Sequence, residues 1–167
     1  MPKPPASNYT DIGDLGEDLV AQWLESTGWE ILHRRFSCRW GEIDIIAQYH
    51  DQTATATTAN HQNSILAFVE VKTRSAGSWD AGGRNAITLQ KQVKLCSTAE
   101  KFLAQYPEKA DYPCRFDVAI VFSQRLSKKL DGAIVTPESL ASLSIAGYEL
   151  TLLEYIPAAF DATIINE

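Results

Sequence analysis

The sequence predicts an α/β domain in which a mixed central sheet is flanked by helices. Three observations point there. Hydrophobic periodicity alternates along the chain in the order α, β, β, β, α, β, β. The chain has 167 residues, 45% hydrophobic and 22% charged, the composition of one globular domain that buries on the order of 70% of its unfolded surface. The segment Ile65–Thr73 reads as an almost continuous apolar run, as a strand covered on both faces does.

Taken in order, residues 1–10 are a polar, Pro-rich leader. Leu15, Leu19, Val20, Trp23 and Leu24 recur at helical spacing, and Gly28 follows as a C-cap, which predicts a first helix over 11–27. Short strands are expected at 29–36, 41–49 and 65–73, the last two joined across DQTATATTANHQN, a polar segment at 51–63 that reads as a long exposed loop. After a second loop at 75–83, Thr88 caps a helix expected over 88–106, whose apolar positions run from Val93 to Leu103 and stop at Pro107. Strands at 116–122 and 148–156 follow, separated by a variable polar stretch at 124–146. One domain over 11–160 with a tail at 161–167 is the expected organisation.

Charge narrows the function classes. Fifteen Lys+Arg against 21 Asp+Glu give a net charge of −6, which argues against a protein that coats nucleic acid through bulk electrostatics. Residues 28–101 nevertheless carry 9 basic against 7 acidic side chains, while both flanks are acidic, so any nucleic-acid contact belongs in the middle of the chain. The opening Met-Pro-Lys-Pro-Pro has no apolar core of a secretion signal and no run reaches membrane-spanning length, so a cytoplasmic protein without a membrane partner is expected. Cys38, Cys96 and Cys114 are far apart and lack metal-ligand spacing, which predicts reduced thiols. His33, His50 and His61 show no ligand spacing either.

Acidic residues inside apolar strands carry the chemistry. A period of two puts Glu42, Asp44 and Ile46 on one face of the second strand, and Phe68, Glu70 and Lys72 on one face of the third. Ionised groups there cost several kcal/mol each unless they are paired or bind a metal. If the two strands are hairpin neighbours, Asp44, Glu70 and Lys72 converge. Two carboxylates can hold Mg²⁺, with Mn²⁺ as a substitute, and the lysine can orient a water and neutralise charge developing on phosphorus.

Asp44, then Glu70-Val71-Lys72, is the spacing of the PD-(D/E)xK nuclease superfamily. Together with Gly13-x-x-Gly16-Glu17, Cys38-Arg39-Trp40-Gly41-Glu42-Ile43-Asp44, Phe68 to Arg74, Ala86-Ile87-Thr88 with Lys91-Gln92, and Arg115-Phe116-Asp117-Val118, it closely resembles the bacterial YraN-like family, regarded as endonucleases and distantly similar to archaeal Holliday-junction resolvases. The resemblance spans residues 11–122 and Tyr155 to Phe160, with the 51–63 loop and the 124–146 stretch as expansions. It implies a restriction-endonuclease-like fold and Mg²⁺-dependent hydrolysis of DNA, at branched or distorted structures. It also implies that Glu17 brings a third carboxylate to the metal beside Asp44 and Glu70, and that Gln92 adds a polar group to the site. Arg39, Arg74, Arg84 and Lys91 are the candidate phosphate contacts, and Trp40 and Trp79 candidate stacking or packing residues. A homodimer is left open.

Other readings stand beside this one. Glu17 serves equally as a first-turn acid favoured by the helix dipole, and Asp44, Glu70 and Lys72 as a structural ion cluster in a non-catalytic module that binds nucleic acid or protein. RNA is the third substrate class.

Overall fold

The computed structural model describes residues 11–50, 64–75, 87–126 and 139–162. The leader, the 51–63 loop, Trp79, Arg84 and the last five residues lie outside them. Among the described residues, two helices and six strands follow one another as α1 (Ile12–Ser26), β1 (Trp29–Cys38), β2 (Gly41–His50), β3 (Ser64–Ser75), α2 (Leu89–Gln105), β4 (Cys114–Arg125), β5 (Ala141–Ile145) and β6 (Tyr148–Phe160), with a 3₁₀ turn at Pro107–Lys109. The expected elements are present within a few residues, and β5 is an addition inside the stretch read as irregular.

The strands form one mixed sheet in the order β1-β2-β3-β4-β6-β5. Among the described strands only the β3–β4 pair is parallel, the arrangement that requires a long crossover, and α2 lies in it. The α1 face of the sheet is built on Leu15, Leu19, Val20 and Leu24 of the helix against Ile45, Ala47, Ala67, Val69, Ala119, Val121, Leu150 and Leu152. The α2 face packs Leu95, Cys96, Ala99 and Phe102 against Ile43, Ile46, Leu66, Phe68 and Phe116. A fully buried Leu or Ile contributes about 2 kcal/mol, so both helices are held by burial of one stripe.

Local signals fix the helix ends. Asp11 caps α1 by accepting from Gly13 N at 3.1 Å, and Thr88 caps α2 by accepting from Lys91 N at 3.2 Å. Gly28 follows α1 at φ +98°, a left-handed position that glycine takes without strain. Gly16 is required for a separate reason. A Cβ there would overlap Thr73 Oγ1, so only glycine lets the first turns of α1 lie directly on β3.

At the β1–β2 tip, strand alternation breaks on two strands together. His33 pairs with Ile46 and Phe36 with Ile43, and all four lie on the α2 side although each pair of chain neighbours is three residues apart. The residues between are Arg34–Arg35 and Asp44–Ile45, and Arg35 takes φ +54°. Beyond Ile45↔Val69 the β2–β3 ladder stops. The β1–β2 tip instead turns toward α2, with Cys38 Sγ 3.6 Å from Thr98 Oγ1 and Gly41 close to Lys94. The sheet therefore forks between β2 and β3, and Glu42, Asp44 and Ile46 do not share a face as strict alternation predicts. Glu42 turns to Ser37, whose hydroxyl donates to it at 2.8 Å.

Candidate active site

The fork is a pocket of about 410 Å³ whose walls include Gly13 and Glu17 from α1, Asp44 from β2, and Glu70, Lys72, Thr73 and Arg74 from β3. Its floor is set by one bond. Asp44 Oδ2 accepts from Val71 N at 2.8 Å, so a side chain takes the place of the missing ladder carbonyl and ties the two arms of the fork together.

Glu70 is 5% exposed. Its Oε1 faces Lys72 Nζ at 3.0 Å and Lys91 Nζ at 3.5 Å, while its buried Oε2 accepts no hydrogen bond among the described residues. Burial pushes the Asp44 carboxyl up to about 7, and the neighbouring charges of Glu70 and then Glu17 push the same way against the Val71 N–H. Two carboxylates held together in a half-buried fork, one with an orphaned oxygen, form a site suited to a cation.

Glu17 lines the same pocket but faces a different partner. Arg35 Nε donates to its Oε2 at 2.8 Å, Arg34 Nη2 stands 3.6 Å away, and the same two arginines bind Asp14 and Asp18. Among the described residues no three His, Cys, Asp or Glu side chains are grouped to hold a metal ion. Asp44 and Glu70 are the pair that could hold a divalent cation such as Mg²⁺, which takes one or two carboxylates and completes its shell with water and substrate oxygens.

The remaining sequence candidates divide. Lys91, expected as a phosphate contact, reaches Glu70 from the first turn of α2, while Gln92 turns away, donating to Ile87 O at 3.3 Å and lining another cavity. Arg74 lines the pocket. Arg39 stands at the β1–β2 tip with its guanidinium 4.3 Å from the centre of the exposed Trp40 ring. Arg84 lies outside the described residues. The three cysteines are free, and burial raises the Cys96 thiol to about 11.

Asp117 is a buried acid to which sequence reasoning gave no role. It is 1% exposed and accepts from Tyr155 OH at 2.6 Å, Ala158 N at 2.9 Å and Arg115 Nε at 3.1 Å. Ala158 takes φ +49° there, so this carboxylate clamps an irregular turn of β6 onto β4. Its mid-strand position in an apolar run was the available signal.

Fold and site define the protein as a mixed α/β domain that opens its central sheet to form a paired-carboxylate, lysine-bearing pocket. The chain matches the family described as "Uncharacterised protein family UPF0102" over residues 16–121, and it belongs to that family. It is 60% identical to a UPF0102 protein of Trichormus variabilis over 157 residues, covering 94% of this chain and 99% of the relative. A UPF0102 protein of Nostoc sp. is 59% identical with the same coverage, and one of Trichodesmium erythraeum is 46% identical over 164 residues, covering 92% and 91%.

Proposed function

We propose that this protein is a Mg²⁺-dependent endonuclease of the restriction-endonuclease-like, YraN-like kind, hydrolysing DNA phosphodiester bonds at branched or distorted structures. The observation that carries the reading is the meeting of Asp44 and Glu70 at the strand fork with Lys72 Nζ 3.0 Å from Glu70. Asp44 and Glu70 would hold the cation, which supplies Lewis acidity toward the phosphoryl oxygens and an acidified water. Lys72 holds Glu70 in place and offers an ammonium where charge builds on the phosphoryl group. Lys91 adds a second positive charge at the same carboxylate, and Arg74 lines the same pocket.

The reading includes a cytoplasmic location and leaves a homodimer open; no helix among the described residues is long and apolar enough to cross a membrane. Its test is a cleavage screen of duplex, single-stranded, flap and four-way-junction DNA, with RNA counterparts, in Mg²⁺ or Mn²⁺. Activity that vanishes in folded Lys72→Ala and Asp44→Ala proteins supports it. Full activity in folded Asp44→Ala refutes it. The capture of Glu17 by Arg34 and Arg35 favours a second reading, a binding module whose acids are a structural ion cluster. A wild type that binds DNA and cleaves nothing in the screen selects that reading.

A further inference from the structure

At Glu70, one carboxylate oxygen faces two ammonium groups. Oε1 lies 3.0 Å from Lys72 Nζ and 3.5 Å from Lys91 Nζ, while the buried Oε2 accepts no hydrogen bond among the described residues. The two ammonium groups are held differently. Lys72 belongs to the same strand as Glu70 and stands in the wall of the fork, with its side chain 22% exposed. Lys91 comes from another element, the first turn of α2, with its side chain 37% exposed and Glu70 as its one ion-pair partner among the described residues. Its backbone is fixed independently, because Lys91 N donates to Thr88 Oγ1 at 3.2 Å. The Lys91 ammonium can therefore change partner by rotation about its own side chain while the helix stays in place.

An ion pair made by a lysine that keeps access to water is a weak one, since the ammonium retains solvent and other rotamers within reach. A cation in the fork changes the balance. Held by Asp44 and Glu70, it would stand within a few ångströms of an ammonium bound to the same carboxylate, and like charges that close in a half-buried setting repel strongly. Lys91 is the group that can leave. DNA supplies its destination, because a phosphate brought to the fork pairs with an ammonium through the same charge-assisted hydrogen bond that a carboxylate accepts.

Resting on the endonuclease reading above, we infer that Lys91 is an exchangeable counter-ion, which pairs with Glu70 in the absence of a cation, passes to a substrate phosphate when DNA arrives, and so makes divalent-cation binding and DNA binding strengthen one another. The coupling is reciprocal: whatever factor DNA adds to cation affinity, the cation adds to DNA affinity. The protein alone then holds the cation weakly, and the carboxylate pair takes it up in front of substrate.

Mn²⁺ binding to the DNA-free protein, read from the electron paramagnetic resonance of free Mn²⁺, tests the first half. Lys91→Met, an uncharged side chain of similar length, should bind Mn²⁺ about tenfold more tightly than wild type. Lys94→Met makes the same charge change one turn along α2, beside Gly41, and should bind Mn²⁺ as wild type does. Affinity for a four-way-junction DNA, with and without Ca²⁺, tests the second half: the gain that Ca²⁺ brings should be several-fold larger in wild type than in Lys91→Met. A Lys91→Met protein that binds Mn²⁺ less than threefold more tightly than wild type, an increase as large in Lys94→Met, or an equal Ca²⁺ gain in wild type and Lys91→Met overturns the exchange and leaves the endonuclease reading standing. Should Lys91→Met not fold, Lys91→Gln takes its place with the same expectations. Mn²⁺ bound by neither wild type nor variant, or a wild type that binds no DNA with or without Ca²⁺, overturns both.

Discussion

Replacing Asp44 with asparagine should stabilise the protein at alkaline pH, although it removes a residue assigned to the site. The Asp44 carboxyl is pushed up to about 7 by burial and by Glu70, against 3.8 in a free side chain. An acid whose folded pKa is raised binds its proton more tightly in the native state, so native stability falls as pH rises from about 4 to about 7 and stays reduced above. A rise of about 3 units corresponds to about 4 kcal/mol at most, at 1.36 kcal/mol per unit. Asparagine keeps an acceptor for the Val71 N–H and carries no charge. Folded Asp44→Asn should therefore match wild type near pH 4 and exceed it by about 2–4 kcal/mol at pH 8.5, or about 4–16 °C in Tm for a chain of this size. Thermal unfolding followed by circular dichroism in EDTA, at half-unit steps from pH 4 to 9, reads the difference. Adding Mg²⁺ should raise the wild-type midpoint and leave the variant's unchanged, because only a ligand of the native state stabilises. A difference that does not vary with pH, or a variant less stable than wild type at pH 8.5, refutes the assignment of a strained, partner-seeking carboxyl to the fork.

Gly16→Ala should cost about 1–3 kcal/mol in urea unfolding and lower cleavage, since the added methyl collides with Thr73 Oγ1 and lifts the α1 end that carries Glu17 off β3. Asp117→Ala should cost about 3–5 kcal/mol, because it strands the Tyr155 hydroxyl, the Ala158 N–H and the Arg115 guanidinium; a loss under 1 kcal/mol would mean that water replaces the carboxylate. Ala146→Asn should stabilise by about 0.5–1 kcal/mol, since Ala146 and Gly147 form the two-residue β5–β6 turn with both φ positive, a conformation asparagine tolerates better. Single replacement of Arg39, Arg74 or Lys91 by alanine should each flatten the salt dependence of DNA binding by about one unit of slope, with Lys128→Ala and Lys129→Ala as controls; equal losses from both sets would mean diffuse attraction.

Helices, caps and strand neighbours were legible because they depend on residues a few positions apart. Leu15 to Leu24 declare α1, and Asp44 and Glu70 meet because a hairpin joins their strands. The fork was not legible. Ile43-Asp44-Ile45-Ile46 has apolar residues of both parities, which says that both faces are covered and not where alternation breaks. Arg35, whose positive φ accompanies the break, is an ordinary strand residue by composition. Nor does sequence distinguish Asp44 and Glu70 from Asp117, all mid-strand acids in apolar runs. Asp117 is satisfied by donors at Tyr155 and Ala158, about forty residues downstream, whereas Glu70 keeps a buried oxygen without a donor among the described residues. The choice of Lys91 over Gln92 at the carboxylate turns on one residue's rotation about α2, finer than periodicity resolves.

The single parallel pairing in the sheet sets an order of assembly. Strands β1 to β3 are an antiparallel meander, closed by contacts between chain neighbours, whereas β4 can dock on β3 only after the whole crossover containing α2 has been gathered in. Loop closure over that distance is slow relative to hairpin formation. The acids of the fork thus meet within residues 29–75, while the cavity that Gln92 lines waits for β4 and β6. In refolding from urea, protection of β1–β3 amides should precede that of β4 and β6, so the Asp44–Glu70 pair is brought together before the second edge of β3 is covered.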